Sequence, residues 1–383
     1  MLYATHAEVN LAAIAHNVRQ ARSLAPGKKV LVALKAQAYG HGAVPVARHL
    51  VAEGLVDWFG VATTPEGIEL RDAGIDTPIL RLSHCFPEEL DAAIAADITV
   101  PVVDATTIDE LARAADRAGR SAYPVHLAID TGMRRIGCEP RDAVAMAGLV
   151  AERGLDLQGL FTHLPISDTP RGDEFTRAQL ARFLAAVRDV QQARADAGLA
   201  PVPLVHASNS GAVLGHPVPE CTMVRPGIMV YGYYPDPEGT PRPVELQQAL
   251  TWKSRVSFVK RVLAGETVGY GRTWTAPEDS WVATVPVGYG DGFSRLNSNR
   301  GRMLVGGAGY PVAGRVCMDQ TMLDLGPATP GSQPPVKVGD EVVVLGRQGD
   351  QAIGADELAG LMGTISYEVT CLINQRVERV YRD

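Results

Sequence analysis

Cysteine is scarce in this chain and follows no pattern. The five residues, Cys85, Cys138, Cys221, Cys317 and Cys371, are odd in number, widely scattered and never spaced Cys-x-x-Cys. That excludes a disulfide framework and a cysteine zinc site, and leaves each thiol as a small core hydrophobe. The nine histidines also lack metal-ligand spacing, so no metal is expected. Basic runs and basic–aromatic stripes are absent from a chain of formal net charge −7, which argues against nucleic acid as a partner. No stretch approaches the roughly 18 apolar residues of a membrane helix. The opening segment Met1-Leu2-Tyr3-Ala4-Thr5-His6-Ala7-Glu8 has neither a basic nor an apolar signal region. The expectation is a soluble, cytoplasmic protein with no membrane contact.

Apolar mass is plentiful: 46% of 383 residues, enough for two domains or one barrel with an appendage. Eight apolar runs punctuate the first 230 residues: Val30–Leu34, Trp58–Ala62, Pro78–Leu82, Ile98–Val103, Val125–Ile129, Leu157–Thr162, Pro203–His206 and Thr222–Val224. Helix-period stretches separate them, including Leu11–Leu24, Ala43–Glu53, Pro65–Asp72, Pro87–Ala96, Ala105–Arg117, Arg141–Glu152 and Thr176–Ala195. Continuous apolar strands alternating with helices predict a parallel sheet covered on both faces, and eight such units predict a TIM-type (β/α)8 barrel, so the class is α/β. A doubly wound open sheet is the alternative. No Gly-x-Gly-x-x-Gly follows the first run, however, so dinucleotide binding lacks support. The Tyr234–Pro243 stretch, rich in proline, reads as a linker. Beyond it, Trp252–Leu263, Trp281–Val287, Arg302–Val305, Pro311–Val316, Thr321–Leu325 and Glu341–Leu345 read as strands of a mostly β C-terminal domain, with one short helix over Gly354–Met362.

Lys35 ends the first apolar run and opens Lys35-Ala36-Gln37-Ala38-Tyr39-Gly40-His41-Gly42. Taken alone it is a strand-end lysine that snorkels to water. Desolvation at such a place also lowers an ammonium pKa and frees an amine to attack a carbonyl. The other strand ends decide between the two, because barrel chemistry sits at the C-terminal ends of the strands. Asp130-Thr131-Gly132-Met133-Arg134-Arg135, His163, Ser208-Asn209-Ser210-Gly211 and Arg225-Pro226-Gly227-Ile228 all follow apolar runs. Small residues, a hydroxyl and exposed amides after the last two runs suit a phosphate. A phosphate site with a Schiff-base lysine points to pyridoxal phosphate. Arg225 then has two readings: a structural arginine paired to a rim carboxylate, or a residue set against the pyridine nitrogen where many such sites place an acid. A guanidinium holds its proton at ordinary pH, which leaves that nitrogen unprotonated and favours simple proton exchange at Cα.

Together these residues resemble alanine racemase, of the fold-type III pyridoxal-phosphate enzymes. The resemblance spans essentially the whole chain. It also rests on Gly269-Tyr270-Gly271-Arg272-Thr273, Val287-Gly288-Tyr289-Gly290-Asp291-Gly292, Cys317-Met318-Asp319-Gln320 and Ser366-Tyr367-Glu368-Val369-Thr370-Cys371. It implies a pyridoxal-phosphate barrel over residues 9–235 and a β-rich domain made of 1–8 and 244–383. By resemblance Lys35 anchors the cofactor and is one catalytic base, with Tyr270 the base on the opposite face. Tyr39, Ser210, Gly227, Ile228 and Tyr367 would hold the phosphate, and Arg225 would face the ring nitrogen with His163 behind it. Arg135 and the Met318 amide would hold the substrate carboxylate, with Asp319 and Tyr289 in support. The family forms a head-to-tail homodimer, so Tyr270, Met318 and Asp319 would serve the partner's site. A phenol is a sluggish base at neutral pH, and Arg225 acting through His163 is the expected source of positive charge.

Three positions depart from the family pattern. Ala128 stands where many members carry a lysine, often carbamylated, that orients the arginine; a chloride, a water or another side chain is then expected to support Arg135. Gln37 replaces the usual asparagine, and Leu164-Pro165-Ile166-Ser167 follows His163 in place of Phe-Ala-Thr-Ala. The leading expectation is interconversion of L-alanine and D-alanine for peptidoglycan. The alternatives are a racemase for serine or a broader set, since a pocket discriminates one methylene by only about 1–3 kcal/mol, and a non-catalytic pyridoxal-phosphate-binding protein, which would have no use for Tyr270. The missing secretion signal weighs against the broad periplasmic racemases.

Overall fold

Strands buried on both faces need no polar alternation, and the first three-fifths of the chain is built from them. A computed structural model gives the fold and describes residues 3–383; Met1 and Leu2, the start of the expected 1–8 segment, lie outside the described residues. The chain divides into two compact units. Ala13–Ala38 and Gly42–Gln247 form one. Its strands Lys29–Ala33, Trp58–Val61, Ile79–Arg81, Ile98–Val102, Pro124–Ala128, Asp156–Phe161, Leu204–His206 and Met223–Val224 make an eight-stranded sheet of parallel pairs among the described residues. The seam between the last two strands is closed by Thr222 N–H to Val205 O at 2.8 Å, Arg225 N–H to Ser208 O at 2.8 Å and Val205 N–H to Thr222 Oγ1 at 2.9 Å. The expected α/β barrel is therefore present, helices alternating with the strands.

Helix starts follow the sequence closely. Asp104 caps Ala105–Arg117 by accepting from Thr107 N–H at 2.8 Å, and Thr107 Oγ1 answers from Asp104 N–H at 3.1 Å. Ile108, Leu111, Ala112 and Ala115 then line the buried face at helical spacing. Asp236, in the proline-rich stretch, accepts from Glu238 and Gly239 N–H, both at 2.9 Å, and Thr240 Oγ1 donates to Asp168 O at 3.0 Å.

The segment after Lys35 is not an ordinary turn. Ala36, Gln37, Ala38 and Tyr39 have φ of 51°, 55°, 53° and 55°, and Gly40 has φ 86°. Lys35–Gly40 is thus a single turn of left-handed helix. L-residues pay roughly 1–2 kcal/mol each for that conformation. Side chains brace it: Ala36 N–H donates to Glu66 Oε1 at 2.7 Å, Gln37 Nε2 donates to Glu69 Oε2 at 2.6 Å, and Gln37 Oε1 accepts from Ala43 N–H at 3.2 Å.

The second unit takes residues 3–12, Tyr39–His41 and Gln248–Asp383. Its main sheet runs Ala308–Pro311, Arg302–Val305, Glu341–Gln348, Leu250–Arg255, His6–Asn10, Glu378–Arg382, with Gln351–Ile353 beside Glu341–Gln348. Phe258–Val262, Ser280–Val285 and Thr321–Pro327 form a three-stranded sheet, and Thr267–Val268 pairs with Trp274–Thr275. Within this unit Arg379 Nε donates to Gly40 O at 3.0 Å. Two strand expectations are corrected. Trp252–Leu263 is broken at Val256–Ser257 into strands of different sheets. Pro311–Val316 is mostly loop: Val312, Ala313 and Val316 are buried, yet only Val312 bridges, to Leu323. Cys85, Cys138 and Cys221 are buried, whereas Cys317 is half-buried and Cys371 exposed, so not every thiol is a core residue.

Gly40→Ala should destabilise the protein. The new Cβ would stand 2.1 Å from Thr370 O while holding a left-handed φ, and overpacking alone costs about 1–3 kcal/mol. A lowered urea midpoint checks this, and an unchanged midpoint would show that the turn relaxes freely.

Candidate active site

One end of the barrel gathers the charged residues. Lys35 follows the Lys29–Ala33 strand, Arg135 the Pro124–Ala128 strand, His163 the Asp156–Phe161 strand, Ser210 the Leu204–His206 strand, and Arg225 the Met223–Val224 strand. Because the strands are parallel, all five lie at the same rim. Their proximity is electrostatic as well. His163 is held neutral, its pKa pushed down to about 3 by burial first and then by Arg225, Arg135 and Lys35.

Arg225 is the centre of the cluster. It is 5% exposed and has no carboxylate partner among the described residues. Its Nη1 donates to His206 Nδ1 at 2.8 Å, and its Nη2 to Thr162 O at 2.8 Å, Ala207 O at 3.2 Å and, weakly, His163 Nδ1 at 3.4 Å. Burial pulls its pKa down to about 10, so the guanidinium stays charged at neutral pH. A guanidinium only donates, which settles the proton positions around it. His206 Nδ1 must accept, so His206 Nε2 carries hydrogen and donates to His126 Nδ1 at 2.8 Å. The His126 proton then sits on Nε2, which meets no hydrogen-bond geometry among the described residues, with Gln158 its nearest polar influence. Burial keeps both rings neutral, His126 down to about 3 and His206 well below its ordinary range. Gly159 makes room for the pair, since a Cβ there would stand 2.5 Å from His126 Nδ1.

Beside Arg225 lie amides without acceptors. Ser210 Oγ accepts from Gly227 N–H at 2.8 Å and from Met229 N–H at 3.4 Å, tying the last two strand-end loops together. The amides of Ser210, Gly211 and Ile228 meet no acceptor among the described residues, although all three residues are buried. Buried N–H groups are almost always paired, so a multi-oxygen anion fits here. A ring nitrogen with a lone pair fits the Arg225 guanidinium. In the other unit Tyr39 and Tyr367 pack with ring centroids 5.9 Å apart, and burial raises the Tyr39 phenol well above its ordinary pKa.

Tyr270 sits where the Thr267–Val268 and Trp274–Thr275 strands turn, between Gly269 and Gly271, each at φ 74°. It is 72% exposed, so it is not a packed strand aromatic. Met318, at 53%, and Asp319 are exposed in the same unit, as is Tyr289.

Ala128 is buried, and no side chain among the described residues hydrogen-bonds or ion-pairs with Arg135. His163 is neutral as well, so it transmits the charge of Arg225 only through a hydrogen bond. Sequence reasoning passed over His126 and His206. The available signal was an imidazole inside each of two otherwise apolar strand runs.

Two families of known proteins cover the chain: the alanine racemase N-terminal domain over residues 9–235 and the alanine racemase C-terminal domain over residues 249–381. An alanine racemase of Cutibacterium acnes is 49% identical over 379 residues, covering 98% of this chain and 97% of that protein. One of Symbiobacterium thermophilum is 43% identical over 378 residues, covering 98% and 97%. The solved structure of an alanine racemase of Clostridium difficile 630 superposes with a TM-score of 0.88 at 36% identity, over 100% of this chain and 96% of that one.

The neutral histidines set a pH response. His126, His163 and His206 are depressed from 6.5, so the unfolded chain binds more protons below that value. Their stabilisation is complete above pH 6.5 and is lost progressively as pH falls below it, down to about 3 for His126 and His163. Urea unfolding at pH 7, 6 and 5 should show this loss. In His126→Phe the proton uptake on unfolding at pH 5 should drop by about one.

Proposed function

Because the chain belongs to the alanine racemase family, we propose that it interconverts L-alanine and D-alanine by moving the Cα proton between two opposed bases, Lys35 and Tyr270. The observation that carries the reading is the electropositive rim: Lys35, Arg135 and Arg225 around a His163 kept neutral. Such a rim suits a phosphate and a carboxylate at once.

The family depends on pyridoxal phosphate, and the donor set fits it. The Lys35 amine would hold its aldehyde carbon. Ser210, Gly227 and Ile228, with the phenols of Tyr39 and Tyr367, would hold its phosphate, the free Ile228 amide donating directly while the Gly227 amide fixes the Ser210 hydroxyl. Arg225 would face its ring nitrogen. When bound, the cofactor withdraws electrons from the substrate Cα–H bond. Arg225 stays protonated and donates without surrendering its proton, which limits that withdrawal and favours proton return over elimination. Arg135 and the Met318 amide hold the substrate carboxylate. Lys35 Nζ takes or returns the proton on one face of Cα, and Tyr270 Oη does so on the other. Tyr270, Met318 and Asp319 are read as serving a second copy, with Tyr289 beside them. Their exposure on the second unit supports this, and the assembly is then a homodimer with shared sites. The product supplies peptidoglycan precursors, and a cytoplasmic location belongs to that reading.

Chiral amino-acid analysis with a panel of L-amino acids tests the reading. L-Alanine should racemise fastest; serine at an equal rate would favour the broader reading, and no turnover at all would leave only a cofactor-binding protein. Lys35→Ala and Tyr270→Phe should each lose about 10²–10⁴-fold in kcat. Tyr270→Phe should retain Cα deuterium exchange with one enantiomer only. Mixing the two inactive variants should restore one complete site in each mixed dimer. Mixtures that stay inactive after subunit exchange would rule out shared sites.

A further inference from the structure

The loop carrying Met318 is gripped from one side only. Tyr289 N–H donates to Cys317 O at 3.0 Å, and Gly290 N–H to Met318 O at 2.8 Å. Gly288 is glycine because of this approach: a Cβ there would stand 2.3 Å from Cys317 O and 2.4 Å from Met318 O. In a trans peptide the N–H points opposite to the C=O, and no peptide among the described residues is cis. Met318 N–H shares its plane with Cys317 O, and Asp319 N–H shares its plane with Met318 O. Both amides therefore face away from the 287–292 loop, and neither has an acceptor among the described residues. Two successive free amides form a concavity for an anion.

Arg376 holds the grip in place. Its Nε donates to Asp291 Oδ1 at 2.8 Å, and its Nη2 donates to Asp319 Oδ1 at 2.9 Å and reaches Met318 O at 3.5 Å. The Asp291 side chain is fully buried, and its other oxygen accepts from Gly288 N–H at 2.8 Å. A buried carboxylate persists only when paired and hydrogen-bonded, so Asp291 is a fixed anchor. The planar guanidinium carries that fixity across to the Met318–Asp319 peptides. Arg376 itself keeps 41% of its side-chain surface exposed, so filling the core is not its main role.

We propose that Arg376 is a positioning residue for recognition of the substrate carboxylate: anchored on Asp291, it holds the Met318–Asp319 peptides so that their amides face the acid group. This rests on the racemase reading and adds to it. The enzyme then requires a free α-carboxylate, and amino-acid amides and esters are poor ligands.

Propionate keeps the methyl and carboxylate of alanine without the amine, and ethylamine keeps the amine without the carboxylate. Each is titrated into the holoenzyme, with binding read from the cofactor absorbance. Arg376→Gln should raise both the propionate Kd and the alanine KM about tenfold, with kcat changed less than about threefold and ethylamine binding unchanged. Arg376→Lys keeps the charge but not the fork and should fall between the two. Asp319→Asn should shift propionate binding the same way by a smaller factor. Unchanged propionate affinity in Arg376→Gln, or equal weakening of ethylamine, overturns the proposal. Should Arg376→Gln fail to fold, unchanged propionate affinity in Asp319→Asn overturns it instead. If the wild type racemises no amino acid, the functional reading fails, and the propionate arm still decides the role of Arg376.

Discussion

A guanidinium buried without a carboxylate constrains everything near it. Arg225 can donate but never accept, so each neighbour must offer a lone pair. Two backbone carbonyls and two imidazole nitrogens do so. The histidines can serve only while neutral, and burial beside a cation keeps them so. One charge thereby sets the tautomers of His206 and His126 in the barrel core and keeps the rim positive. A carboxylate partner would have stabilised Arg225 more cheaply. It would also have cancelled the field that an anionic cofactor and an anionic substrate need.

The second constraint is conformational. Four consecutive L-residues in a left-handed turn carry a penalty of roughly 1–2 kcal/mol each. The structure offsets it with the Glu66 and Gln37 bonds in one unit and the Arg379 bond to Gly40 O in the other. Such concentrated strain belongs where a side chain must be aimed rather than where a chain must merely turn. Here it separates Lys35 from Tyr39, two residues read as holding opposite ends of one cofactor.

Much of the barrel was legible because doubly buried strands leave an unbroken apolar signature, and the capping residues marked the helix starts. The left-handed turn was not legible. Left-handed residues announce themselves as glycine or asparagine, and Ala36-Gln37-Ala38-Tyr39 gives no such sign. Pro311–Val316 misled because an apolar lining and a strand look alike until hydrogen bonds are counted. Arg376 was invisible for another reason. Its partners, Asp291 and Asp319, lie 85 and 57 residues away in sequence, and no local pattern encodes a pairing made by the fold. At Ala128 the departure itself was plain, but its effect on Arg135 required coordinates.

The strand His6–Asn10 lies between Leu250–Arg255 and Glu378–Arg382, with His6 opposite Glu378. Its parallel neighbour is therefore separated from it in sequence by every other strand named above. Pairings this distant in sequence pay a large loop-closure entropy before they return any contact energy. The barrel can assemble earlier, since its strands pair in chain order up to the closing one, Met223–Val224, which returns to Lys29–Ala33. The other unit must keep its His6–Asn10 strand waiting until Glu378–Arg382 has been made. Throughout that interval the His6–Asn10 edge is open to a wrong partner, which makes its timely closure the vulnerable step in biogenesis.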